Sequence, residues 1–153
     1  MIPNGIETLS YSLFWGSGLI SITIPRSVTE ISDYVFRNNN NLVDVRVENP
    51  TPVTISEGVF SNRANATLYV PVGSKAAYQE ANYWNEFKAI VEMGDLNGDG
   101  QMTAQDASLV LQHVAGKTPI DENSLKAADI NGDGEVTAQD ASLVLQKVAG
   151  KID

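Results

Sequence analysis

The sequence predicts a fragment of a repeat solenoid, built of short strands and irregular or helical arms, followed by a small all-α domain. Three observations carry this. In the first part of the 153-residue chain, apolar positions recur with a step of 22 to 24 residues. In the second, the block "GDLNGDGQMTAQDASLVLQHVAGK" returns 34 residues later as "ADINGDGEVTAQDASLVLQKVAGK". The acidity is also uneven: of a net charge of −9, six negative charges lie from Met93 onward, where ten acidic residues face four Lys and no Arg. These features divide the chain into modules 1–92 and 93–153, joined near Glu92 to Gly94 without a Pro- or Ser-rich tether.

The composition excludes several classes. With no cysteine there is neither a disulfide framework nor thiolate chemistry. An acidic chain lacks the clustered Lys and Arg that a nucleic-acid backbone requires. No apolar run approaches the eighteen or so residues of a membrane-spanning helix. "MIPNGIETLS" has neither the basic stretch nor the apolar core of a signal peptide, and it enters the repeat pattern mid-turn. The expectation is a piece of a longer precursor with further turns upstream.

In the first module, "IPNGIETLSYSLF" stands over "IPRSVTEISDYVF", so Ile2, Ile6, Leu9 and Phe14 align with Ile24, Val28, Ile31 and Phe36. Leu19, Ile22 and Ile24 align with Leu42, Val45 and Val47, and Ile31 and Phe36 with Ile55 and Phe60. Leu68 and Val70 continue the strand positions. Each turn then has one alternating strand, such as "SITI" or "VDVRV", and an arm ending in Phe. This step suits a leucine-rich type of solenoid, in which a single turn cannot bury its apolar side but stacked turns share a core. The asparagines of "RNNNN" suit the bend before the next strand, because Asn tolerates left-handed backbone. "VPVGSKAAYQEANYWNEFKAIVE" closes the series, with Ser74 capping a helix over about 75–81 and Tyr78, Tyr83, Trp84 and Phe87 as its plug. An alternative use of these aromatics is a platform for stacking carbohydrate. The repeated "ITIP…SVT.I….F" pattern and the "LYVP.GS…Y…..W..F" segment resemble the BspA-like leucine-rich repeat family over residues 1–92. The resemblance implies a binding or spacer module of bacterial surface and secreted proteins, with an unknown ligand and no catalytic residue.

In the second module, Asp95, Asn97, Asp99, Gln101, Thr103 and Asp106 occupy positions 1, 3, 5, 7, 9 and 12 of a loop. Asp129, Asn131, Asp133, Glu135, Thr137 and Asp140 repeat them. This is the spacing of a calcium loop of EF-hand type. Calcium takes six to eight hard oxygens at about 2.3–2.6 Å, and side chains at 1, 3 and 5 converge from one bend. Position 7 offers its carbonyl, so Gln101 and Glu135 need not match, and Gly100 and Gly134 make the sharp turn at position 6. Leu96, Met102, Ile130 and Val136 anchor the loops on the core. Position 12 is Asp rather than Glu, and "NEFKAIVEMG" offers no helix before the first loop, so these are two half EF-hands holding two Ca2+. A metal-free Asx-rich turn would not need oxygen ligands at 1, 3, 5 and 12 in both copies. Unneutralised, the carboxylates of each loop repel, which couples metal binding to folding.

After each loop, Thr103 and Thr137 cap a helix, with Asp106 and Asp140 three residues on. Since these carboxylates are also committed to calcium, a partial capping box is expected. Ala107, Val110, Leu111 and Val114 form the apolar stripe, and Gly116 and Gly150 end the helices. "DENSLKAAD" forms a short helix capped by Asp121 and anchored by Leu125. Residues 103–117 and 137–151 differ only at His113 and Lys147, an identity that core packing alone does not demand. Recent duplication accounts for it, or each helix must suit the same partner. Leu111 and Leu145, flanked by Ser108, Gln112, Ser142 and Gln146, have the apolar centre and polar rim of an interface.

From Met93 to Asp153 the chain resembles a type I dockerin. The resemblance implies a calcium-dependent plug that anchors its chain to a cohesin of a cellulosome scaffoldin, outside the cell. It assigns recognition to Ala104 and Gln105, to Ala138 and Gln139, and further along to Leu111, Gln112, Leu145 and Gln146. Some members have Ser-Thr where this chain has Ala-Gln, which bears on the choice of cohesin. The reading is a binding and assembly protein, not an enzyme, since no nucleophile-base set is visible. The alternative is an accessory fragment of a secreted polysaccharide-degrading enzyme whose catalytic part lies elsewhere. A calmodulin-like sensor would need full helix-loop-helix units and a Met-rich groove.

Overall fold

A computed structural model describes residues 2–152. The chain divides into two compact units, Met1–Val91 and Glu92–Asp153.

The first unit is built from short parallel strands. β1 (Thr8–Leu9) pairs with β3 (Glu30–Ile31), with Leu9 beside Ile31. β2 (Ser21–Ile24), β4 (Asp44–Val47) and β5 (Thr67–Pro71) lie side by side in a sheet that β6 (Ala89–Met93) completes, in the order β2-β4-β5-β6. Ile22 pairs with Val45, and Val45 with Leu68, so residues one step apart in sequence become neighbours across the ladder. Alternate residues of β2 and β4 point inward: Ile22, Ile24, Val45 and Val47 are buried.

The arm ends form a second ladder. The rings of Phe14 and Phe36 stack 5.6 Å apart at 2°, and those of Phe36 and Phe60 4.9 Å apart at 11°. Trp84 and Phe87 then close over Phe60 at 5.6 and 5.4 Å. Asn39 runs beside these rings, 1% exposed. Its Oδ1 accepts from the Leu19 amide at 3.0 Å, and its Nδ2 donates to the carbonyls of Phe14 and Phe36 at 2.8 and 3.0 Å. One side chain thus satisfies three backbone groups from two turns. Asn38, its neighbour, takes the left-handed conformation at φ 61°.

The closing segment differs in part from expectation. α1 (Lys75–Glu80) forms, but Ser74 has helical backbone and makes no side-chain cap; its carbonyl instead accepts from Tyr78. Tyr78, Trp84 and Phe87 are buried, and Tyr83 packs partly against the cluster. The Tyr78 hydroxyl donates to the Asn49 carbonyl at 2.9 Å, and the Trp84 indole to that of Val53 at 2.8 Å. With the rings of Tyr78, Trp84 and Phe87 enclosed, they offer no face for stacking a sugar. β6 was not expected: the "AIVEM" run, treated as part of the lid, instead adds an edge strand.

The second unit contains α2 (Ala104–Val114), α3 (Glu122–Ala128) and α4 (Ala138–Val148). Its buried cluster is small: Ala107, Val110, Ala128, Ala141 and Val144, with Leu96, Met102, Ile120, Ile130 and Val136 packed at its margin. The expected stripe on α2 therefore splits. Ala107 and Val110 face inward, whereas Leu111 and Val114 are 45% and 46% exposed. Leu125 is only half-buried, and Ala127 and Ala128 are the enclosed residues of α3. Asp121 caps α3 through the amides of Asn123 and Ser124, and the Ser124 hydroxyl, followed by that backbone bond, holds its carboxyl below the usual range.

Candidate functional site

The two acidic loops have the same hydrogen-bond plan. In the first, Asp95 Oδ1 accepts from the amides of Gly98 and Asp99 at 2.8 and 3.1 Å, and Oδ2 from Gly100 at 2.9 Å. Asn97 Oδ1 accepts from Asp99, and Asp99 Oδ1 from Gln101. In the second, Asp129 accepts from Gly132, Asp133 and Gly134, Asn131 from Asp133, and Asp133 from Glu135. Gly100 and Gly134 stand at φ 80° and 91°, a conformation that a side chain would strain. The backbone amides thus fix the orientation of the carboxylates at positions 1 and 5.

Asp106 and Asp140 join the far end of each loop to its beginning. Both are 0% exposed. Asp106 Oδ1 accepts from the amides of Leu96 and Asn97 at 2.9 and 3.2 Å, and Oδ2 from the Thr103 amide and hydroxyl at 2.8 and 3.0 Å. Asp140 does the same with Ile130, Asn131 and Thr137. The capping boxes at Thr103 and Thr137 are complete rather than partial. A buried carboxylate without such donors would be strongly unfavourable.

Among the described residues, no three carboxylate or imidazole side chains come close enough to hold an ion by themselves. The donor chemistry nevertheless fits a hard divalent cation. Asp95, Asn97 and Asp99 put only oxygen and amide donors on one bend, and Asp106 is drawn back to the amides of residues 96 and 97. Asn97 Nδ2 lies 2.8 Å from Asp99 Oδ2, as Asn131 Nδ2 lies 2.7 Å from Asp133 Oδ2, so positions 3 and 5 are in contact in both loops. The side chains of Gln101 and Glu135 are exposed, which leaves their carbonyls as the relevant groups.

On the helices, Ala104, Gln105, Ser108 and Leu111 are exposed and Gln112 half-buried; Ala138, Gln139, Ser142, Leu145 and Gln146 repeat this residue by residue. Gln112 Nε2 donates to Ser108 Oγ at 3.2 Å, and Gln146 to Ser142 at 3.2 Å. Val114, expected in the apolar stripe with Ala107 and Val110, and its counterpart Val148 extend the exposed apolar surface, at 46% and 47%. The signal for this was present in their recurrence beside Leu111 and Leu145.

The family model of the BspA type leucine rich repeat region, in six copies, matches residues 1–86. The chain belongs to that family. A type I dockerin domain follows the repeats, matched over residues 93–149. Both are non-catalytic modules, and type I dockerins bind calcium. No curated protein matches the chain. It is similar to a chain in the solved structure of the third cohesin ScaC in complex with the ScaB dockerin, carrying a mutation in its N-terminal helix, from Acetivibrio cellulolyticus. The identity is 39% over 39% of this chain and 84% of that one, with a TM-score of 0.37. Among the described residues, no helix is long and apolar enough to cross a membrane.

Proposed function

We propose that residues 93–153 are a calcium-dependent plug for a cohesin of a cellulosome scaffoldin, and that residues 1–92 are a leucine-rich-repeat solenoid fragment carried as a binding or spacer module. The chain then works outside the cell. The observation that carries this reading is the duplication: two loops alike in hydrogen-bond plan, each followed by a helix with the same exposed leucine and serine and the same half-buried glutamine bonded to that serine.

Each loop and its following helix form a half EF-hand. Asp95, Asn97, Asp99, Asp106 and the carbonyl of Gln101 would hold one calcium ion, and Asp129, Asn131, Asp133, Asp140 and the carbonyl of Glu135 the second. Bound calcium neutralises the carboxylates that otherwise repel. The chain does the rest. Asp106 and Asp140 tie each loop's first amides to the cap of its helix, so an ordered loop sets the direction of the helix. Ala104, Gln105, Ser108, Leu111 and Gln112 then offer an apolar centre with a polar rim, and Ala138, Gln139, Ser142, Leu145 and Gln146 offer the same surface again. A partner can engage either copy.

Binding of the intact chain to a panel of recombinant type I cohesins, with calcium and with chelator, tests this. Expected are capture by at least one cohesin in calcium only, uptake of two calcium ions by calorimetry, and loss of capture in the double variant Asp106→Ala, Asp140→Ala. Capture that persists in that variant, or in chelator, would overturn the reading.

A further inference from the structure

Not every aromatic ring of the repeats belongs to the core. Tyr11 and Trp15 are 65% and 44% exposed. Both meet Tyr34 edge-on, at centroid distances of 5.5 and 5.7 Å. The guanidinium of Arg37 lies 4.8 Å from the Tyr34 ring and 5.6 Å from that of Trp15. A single outward ring is ordinary on a protein surface, but three in contact, with a guanidinium among them, form a patch.

Tyr34 also lines a cleft of about 780 Å3, together with Asp33, Arg37, Glu57, Arg63 and Tyr83. That size falls within the ~300–1,000 Å3 of small-ligand sites. Its two tyrosines share a peculiarity: Tyr34 and Tyr83 stand at φ 63° and 67°, in the left-handed region that bulky side chains avoid. Ser12, one repeat before Tyr34, shares the conformation at φ 55°, so at Tyr34 it belongs to the turn of the arm, which carries the ring to the surface. Each ring has a guanidinium over it, Arg37 on Tyr34 and Arg63 on Tyr83 at 5.4 Å. Arg63 is fixed by Glu86 and by the carbonyls of Glu57 and Phe60, whereas Arg37 is exposed. The Tyr34 ring rests on Gly58, where a Cβ would fall 2.3 Å from its Cε1.

The lining narrows the ligand. Its guanidinium groups are matched by carboxylates from Asp33, Glu57 and Glu86, so no positive surplus selects an anionic polymer. Carboxylates and guanidinium groups also stand beside the rings, so the lining offers hydrogen-bond acceptors and donors next to aromatic surface. A sugar ring suits both features: its C–H face packs on the exposed rings of Tyr11 and Trp15, since Arg37 and Arg63 already lie over Tyr34 and Tyr83, and its hydroxyls bond to carboxylates and guanidinium. We propose that this cleft and the adjoining Tyr11–Trp15–Tyr34 patch bind a neutral polysaccharide chain.

The test is affinity electrophoresis of the full chain in soluble xylan, mixed-linkage β-glucan and galactomannan, with polygalacturonate as the anionic comparison. Retardation by at least one neutral polymer is expected, weakened about tenfold or more in Trp15→Ala and in Arg37→Ala, with thermal melting unchanged. Because Trp84 is buried, protection of the tryptophan fluorescence from acrylamide by that polymer would report on Trp15. The Asp106→Ala, Asp140→Ala variant should still be retarded, which separates this site from the cohesin reading. No retardation by any neutral polymer, retardation by polygalacturonate alone, or full retardation of a folded Trp15→Ala variant would overturn the proposal.

Discussion

Among the described residues, the first unit buries twenty side chains in one apolar cluster, including Phe36, Phe60 and Trp84, whereas the cluster of the second unit has five, all alanine or valine. What the second unit has instead is a pair of fully enclosed carboxylates, Asp106 and Asp140, each accepting from four donors. A unit of about sixty residues with so little apolar burial needs some other constraint. The repeats are held by shape and area. The dockerin is held by polar geometry, which on the proposed reading responds to ions in a way that an aromatic stack does not.

The sharpest way to break this contrast is to remove calcium. Chelation is expected to abolish the helical circular dichroism of the second unit and leave the first unit's melting unchanged. Calcium at about 100 times its dissociation constant would restore roughly 2.7 kcal/mol per site. Equal helix content with and without chelator would erase the distinction. Next comes Phe60→Ala, which opens the middle of the ring ladder; a loss of about 3–5 kcal/mol is expected in the first unit alone, read by denaturant melts, with calcium uptake untouched. Asn39→Ala should cost less, about 2–3 kcal/mol, because it strands the Leu19 amide and the carbonyls of Phe14 and Phe36. The smallest effect is at Tyr78. Burial pushes its phenol well above the ordinary value, so its contribution is complete below about pH 10 and declines as pH rises further. Tyr78→Phe should cost about 1 kcal/mol at neutral pH and flatten that alkaline decline in melts of the first unit.

Much of the first unit was legible because its period is imposed by stacking: Ile22, Val45 and Leu68 pair because they stand a fixed step apart. What the period leaves open is direction. Trp15 and Trp84 are the same residue, yet one faces water and the other is enclosed, a difference decided by which turn covers which. Four consecutive asparagines offer no sign that Asn39 alone is the buried one. In the second unit, the loop spacing marked Asp106 and Asp140 as position-12 carboxylates, but not that each would be buried and bonded to the first amides of its loop. The exposure of Val114 was less readable than that of Leu111, because a stripe at helical spacing looks alike whether it meets a core or a partner.

The rings of Phe14, Phe36 and Phe60 follow one another beside strands whose register never slips. In the proposed solenoid, parallel strands lie about 4.8 Å apart, so adding or deleting one whole turn would change the reach of the module by one such increment while each remaining turn kept its neighbours. Such repeats would be a ruler. Their length would be reset by gene duplication in graduated marks, without any new core having to be invented.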